Sequence, residues 1–347
     1  MAEHIHHIPG RQVLIQDKVY GYFSGTGYLG ISDHPLFRER VKAGIDAYGV
    51  HFGGSRLGNI GLAIFAEAEA WLADFAGAPA ALVLSSGTLC GQFLMACLQE
   101  EGDIQLAPGM HPAAWRQIRP FAGTNTAWCS AMLRLAQRDK RPQILVSSTV
   151  DPLFSKSYSF DWLKEWPEDT PLLLVMDDSH GLGVCGANGA GIWQELVATG
   201  KGELIVFSSL GKALGIPGGV ILGQPDRIQQ LKTNPLFGGA SPISPAFLYA
   251  MIHSRQLYQK QLQKLRANIL FFEAATRPLN LFQSFSEYPV FYTAESGLAL
   301  YLFDRGFVIS QFAYPSPQDD VITRIVISAA HELSDLERLV SELSGYK

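Results

Sequence analysis

From about Ala80 onward the chain alternates short apolar runs with longer segments whose apolar residues recur every three or four positions. A short apolar run bounded by turn formers fits a strand buried on both faces, and the longer amphipathic segments fit helices laid over such a sheet. The predicted strands are Ala81–Leu84, Ile144–Ser147, Leu172–Met176, Leu204–Phe207 and Gly219–Leu222, with helices between them at Leu89–Gln99 and Phe160–Trp166. This alternation predicts βαβ units around a mostly parallel central sheet flanked by helices, an α/β fold.

The pattern changes near Pro245. A long helical stretch passes through Tyr249, Ile252, Leu257 and Leu265 toward Phe272. Beyond it, Pro289–Thr293, Leu298–Leu302, Phe307–Ser310 and Ile322–Ser328 read as strands. Ser334, with Glu337 three residues on, reads as the N-cap of a last helix through Leu343. The expected organisation is an N-terminal segment over 1–40, a large α/β domain over 41–240 and a smaller α+β domain over 241–347.

The length of 347 residues agrees with more than one core. At 47% hydrophobic and 17% charged residues, with a net charge of -5, the chain is an ordinary globular protein without the basic excess of a nucleic-acid or membrane-surface binder. The start at Met1-Ala2-Glu3-His4 has no apolar leader, and no apolar run approaches the roughly 20 residues of a spanning helix, so a cytoplasmic protein is expected. Cys90, Cys97, Cys129 and Cys185 form no CxxC pair, which argues against a metal site or a disulfide framework. His4, His6 and His7 offer weak metal binding but fit a solvated terminal arm better.

Three candidate features each stand at the carboxyl end of a predicted strand, where open α/β sheets place ligands. Ser85-Ser86-Gly87-Thr88 opens a helix and aims amides and a hydroxyl at an anion, although the same residues make an ordinary turn and cap. Asp177-Asp178-Ser179-His180-Gly181 delivers two carboxylates and an imidazole, a set that suits a metal in isolation or a protonated ring nitrogen equally well. Ser208-Ser209-Leu210-Gly211-Lys212 ends a strand with one lysine among small and apolar residues, which favours loss of its proton, whereas the plain alternative is a surface lysine in a turn. Together they supply what pyridoxal 5'-phosphate (PLP) requires: a lysine for the aldehyde, a carboxylate for the pyridine nitrogen and a phosphate cup on a helix N-terminus.

At these residues the sequence resembles the α-oxoamine synthase family of PLP enzymes. The likeness extends through Tyr28-Leu29-Gly30, His34-Pro35, Tyr48-Gly49, Gly53-Gly54-Ser55-Arg56-Leu57 and Arg324 with Ser328-Ala329-Ala330-His331, and so spans nearly the whole chain. It implies the PLP-dependent transferase fold type I, with Lys212 as Schiff-base lysine and proton shuttle and Asp177 as partner of the pyridine nitrogen. His180 would contact the ring hydroxyl and His111 would stack on the ring. Ser86, Gly87, Thr88 and Ser209 would bind phosphate, joined by Ser241 from the second subunit of a homodimer with a shared active site. Arg324 would hold the substrate α-carboxylate. The chain departs from the family pattern at Thr26-Gly27, Phe65, Gly91, Ser148, Pro152 and Ile322, and the stretch from Phe121 to Arg141 looks shortened.

The resemblance implies a decarboxylating condensation of an amino acid with an acyl-CoA or acyl-carrier thioester. The substitutions at Phe65, Ser148 and Pro152 leave room for transamination or aldol cleavage on the same cofactor, and the fold also serves in subunits without turnover. Retention of Lys212, Asp177, His180 and His111 speaks for an enzyme.

Overall fold

A computed structural model describes residues 5–115 and 118–346. Of the terminal histidines, His4 lies outside the described residues, and His6 and His7 are exposed.

The large sheet has six strands in the spatial order Ala80–Leu84, Gly219–Gly223, Glu203–Ser209, Leu172–Asp177, Gln143–Ser148 and Asp103–Leu106. Five run in one direction, and Gly219–Gly223 runs against both of its neighbours. The central strands are buried nearly throughout, as continuous apolar runs covered on both faces must be. Each predicted strand of this sheet is present. The edge strand Asp103–Leu106 was not foreseen: its four residues alternate Asp-Ile-Gln-Leu, and it pairs only with Gln143–Ser148.

The smaller sheet has five strands ordered Gln12–Ile15, Lys18–Phe23, Phe307–Ala313, Val321–Val326 and Val290–Thr293. Its first two strands form a hairpin through Gln16 and Asp17, both at positive φ, and Lys18–Phe23 then pairs in parallel with Phe307–Ala313. The hairpin Gln12–Phe23 is thereby held in one sheet with strands from between Val290 and Val326.

Three expectations need correction. Leu298–Leu302 lies within a helix, Leu298–Asp304: Leu298 and Leu302 are buried one helical turn apart while Leu300 is 68% exposed, and a strand would place all three on one face. The last helix, Leu333–Ser344, is capped by Glu332 rather than Ser334, because Glu332 and Asp335 bond each other's backbone N–H in a capping box and Asp335 also pairs with Arg11 at 2.9 Å. Phe160–Trp166 holds only a short 3-10 helix, Asp161–Glu165. The helical stretch after Pro245 is two helices, Pro245–Ile252 and Arg255–Thr276, broken where the Ser254 hydroxyl donates to the Ala250 carbonyl. The helix predicted at Leu89–Gln99 spans Gly87–Leu98.

Candidate active site

The loops that follow the parallel strands gather on one edge of the large sheet, and strand Val321–Val326 of the small sheet closes over them. One cavity of 260 Å³ brings together His111, Asp177, His180, Lys212 and Arg324 with Thr26, Ser148, Pro152, Phe312 and Tyr314. A second, of 320 Å³, shares His111, Asp177 and Lys212 with the first and is otherwise walled by Ser85, Ser86, Gly87, Thr88, Ser179 and Ser209. The first could receive a ring and a substrate, and the second an anion at the ring's far end.

The anion end is built from the helix Gly87–Leu98. Ser86 caps it, its Oγ accepting the Leu89 N–H at 3.0 Å, and the remaining first-turn amides have no intrahelical acceptor. A β-carbon on Gly87 would stand 2.7 Å from that of Ser209, so glycine is what lets the helix N-terminus close against the strand end that carries Ser209. On the opposite wall, the Ser209 N–H donates to Ser179 Oγ and the Gly211 N–H donates to Ser209 Oγ, which shapes the turn into Lys212. Ser179 was not singled out in the sequence, though a small hydroxyl residue beside the two carboxylates was the available signal.

Consecutive residues leaving a strand point to opposite sides, and this separates the two acids. Asp178 is buried, accepts from the Thr149 hydroxyl at 2.6 Å and the Ile192 N–H at 3.0 Å, and is pushed up to about 7 by burial. It secures the turn. Asp177 faces the cavities, with Oδ1 held by the Ser179 N–H at 3.0 Å.

Lys212 is partly buried between the cavities. Burial, with a smaller contribution from the Arg324 charge, lowers its ammonium to about 8 against the opposing pull of Asp177. Attachment of PLP to the cofactor-free protein should therefore accelerate as pH rises and level off above about pH 8, since only the free amine attacks an aldehyde. Stopped-flow absorbance would measure this. A rate still climbing toward the ordinary lysine value of about 10.4 would mean that an exposed lysine reacts instead.

His180 Nδ1 lies 2.8 Å from the Tyr28 hydroxyl, and burial pulls its imidazole well below its usual range, so the ring is neutral. The His111 Nδ1 accepts the Ala113 N–H, and burial lowers this imidazole too, against the pull of Asp177. The His111 loop is fixed by Gln92, whose amide donates to the Ala113 carbonyl at 2.6 Å. The family departure Gly91 belongs to the same contact, because a β-carbon there would meet Ala113 at 3.0 Å.

Arg324 is 6% exposed and has no carboxylate partner among the described residues. One guanidinium nitrogen donates to the Pro152 carbonyl at 2.5 Å, the group lies over Phe312, and buried Nε has no hydrogen-bond partner. A buried cation left this short of acceptors fits a ligand that brings a carboxylate. Ser241 is exposed and lines neither cavity, so in this single chain it stands apart from the residues expected to bind phosphate. Phe312, Tyr314 and Tyr158 line the first cavity without any motif in the sequence to announce them.

A family model described as aminotransferase class I and II matches residues 161–343, more than half of the chain. The chain belongs to this family. Among its relatives, the 8-amino-7-oxononanoate synthase of Thermosipho melanesiensis is 25% identical over 94% of this chain and 88% of its own length. That of Methylococcus capsulatus is 26% identical over 93% and 88%. The fold matches a serine palmitoyltransferase from S. paucimobilis, solved with bound PLP–myriocin, at a TM-score of 0.85 with 16% identity, covering 99% of this chain and 92% of that one. It also matches the 8-amino-7-oxononanoate synthase of Francisella tularensis at 0.71 and 19%, covering 94% and 97%. This family member is thus a PLP-dependent transferase of fold type I. Its residues are of the kinds that could hold the cofactor: Gly87 in close approach to Ser209, a lysine of lowered basicity and a cavity-facing carboxylate line one cavity. No helix among the described residues is long and apolar enough to cross a membrane.

Proposed function

We propose that the protein is a cytoplasmic acyltransferase of the 8-amino-7-oxononanoate synthase type, which condenses an amino acid with an acyl-CoA or acyl-carrier thioester and releases carbon dioxide. The observation that carries this reading is the shape of the site. Pro108, Gly109, Asp151, Phe154 and Tyr158 separate the catalytic cavity from an adjoining open cleft of 810 Å³ whose further walls include Cys129, Leu133 and Trp162. Exchange of an amino group between small acids leaves that volume without a purpose, whereas an acyl chain and its thioester need both the room and the mixed apolar and polar walls.

Bound PLP supplies an electron sink for the bond broken at the amino acid's α-carbon. Asp177 would hold a proton on the pyridine nitrogen, and His180 and His111 would contact the ring. Ser86, Gly87, Thr88 and Ser209 hold the phosphate. Lys212 would hold the cofactor's aldehyde carbon, and its free amine would be the base for the α-proton. Arg324 would hold the α-carboxylate and so fix the orientation of the amino acid in the cavity. Ser241 completes the phosphate cup from a second copy of the chain. Light scattering should accordingly find a homodimer, and a monomer with full cofactor occupancy would remove that role for Ser241.

Arg324→Ala should weaken the binding of glycine, alanine or serine about 10- to 150-fold, the loss expected for a charge-assisted pair worth about 1.5–3 kcal/mol, and leave PLP affinity nearly unchanged. Absorbance titration of the holoenzyme separates the two. The reaction itself is tested with a panel of amino acids and acyl-CoA thioesters, followed by release of CoA and carbon dioxide in equal amounts. If an amino acid instead converts the cofactor to its amine form and a keto acid restores it, the protein is an aminotransferase.

A further inference from the structure

Tyr28 is completely buried, and its hydroxyl stands 2.8 Å from Nδ1 of His180. Burial pushes this phenol up to about 12 and pulls the imidazole well down, so near neutral pH each ring carries one titratable proton. A single hydrogen can occupy the space between Oη and Nδ1. If it is the phenolic one, the imidazole proton sits on Nε2. If it is the imidazole one, the phenolic proton must turn elsewhere.

The surroundings distinguish the two arrangements. Tyr288, also completely buried, stands beside Tyr28 with ring centroids 6.4 Å apart; its hydroxyl interacts with that of Tyr28 and meets no other hydrogen-bonding group. With Nδ1 as donor, a phenolic proton, whether on Tyr28 or passed along to Tyr288, ends in the interior without an acceptor. With the Tyr28 hydroxyl as donor, that proton is satisfied, and Nε2–H is the group His180 has left for the cavity it shares with Asp177 and Lys212. Leaving a buried donor unpaired costs more than the bond itself contributes, so the phenolic proton is the one that lies between Oη and Nδ1.

We propose that Tyr28 is a positioning residue that locks His180 in the Nε2–H tautomer, so that the imidazole presents a donor rather than an acceptor to the oxygen on the PLP ring. The link to PLP rests on the reading of His180 as a ring contact; the tautomer does not. The second nitrogen of a histidine commonly sets the role of the first in this way.

Long-range proton–nitrogen spectra of the cofactor-free protein labelled in histidine nitrogen test the lock directly, with His180 assigned by the signal lost in His180→Asn. Wild type should show His180 as neutral Nε2–H across pH 6 to 8. Tyr28→Phe, which removes one oxygen and keeps the ring, should show a mixture with Nδ1–H and bind PLP several-fold more weakly by fluorescence titration. A wild-type Nδ1–H tautomer overturns the proposal by itself, even if the variant fails to fold, and so does a tautomer unchanged in Tyr28→Phe. A shifted tautomer with unaltered PLP affinity overturns the link to the cofactor. None of these readouts depends on which substrates the enzyme condenses.

Discussion

Lys212→Ala should abolish the covalent, borohydride-trappable link between PLP and the chain and reduce turnover to background. Among the described residues, no other lysine lines the two cavities that Asp177 and His111 share. The residues proposed to bind its phosphate, Ser86, Gly87, Thr88 and Ser209, are untouched by the substitution, so the variant should still hold PLP without a covalent bond. Removing the lysine also removes the amine proposed to take the α-proton, and two losses in one step make this the largest effect expected of any single substitution. Reduction of wild type and variant with borohydride, followed by peptide mass spectrometry, is the measurement. A PLP adduct on a different lysine of the wild-type protein would defeat the assignment.

Asp177→Asn should retain PLP and lose most of its capacity for chemistry. The amide preserves the shape of the side chain and can still accept the Ser179 N–H that Asp177 accepts at 3.0 Å, so the turn should hold. What disappears is the negative charge proposed to keep a proton on the pyridine nitrogen, and with it a charge-assisted bond worth about 1.5–3 kcal/mol, or about 10- to 150-fold in rate. Exchange of the substrate α-proton into deuterated water, followed by NMR, isolates this step from acyl transfer. Undiminished exchange would show that Asp177 has no part in it. The neighbouring acid provides the contrast: Asp178→Asn touches Thr149 and Ile192 instead of the cavity, and should lower thermal stability more than it lowers PLP affinity.

Much of the fold was legible because its strongest elements are local. The runs at Leu172–Asp177, Glu203–Ser209 and Gln143–Ser148 are buried on both faces, and continuous hydrophobicity bounded by turn residues is the trace this leaves in a sequence. The candidate site was legible for the same reason, since Ser86, Asp177 and Lys212 each sit at the end of such a run. Where a segment is short and half exposed, the local pattern fails. Asp103–Leu106 has two apolar residues in four, and Leu298–Leu302 is apolar enough for a strand, but its burial repeats with the period of a helix.

The sequence by itself determined the α/β class, the positions of the buried strands along the chain and the three strand ends proposed to carry the cofactor chemistry, because each is written within a window of about ten residues. Only the tertiary structure decided that the N-terminal hairpin joins the small sheet, that Asp178 turns inward while Asp177 faces the cavity, and that Arg324 meets a carbonyl instead of a carboxylate. It alone placed Tyr28 against His180. These are contacts between residues far apart in the chain or a choice between adjacent side chains. Their geometry is set by closure of the two sheets over one another, and burial then fixes which polar groups find partners.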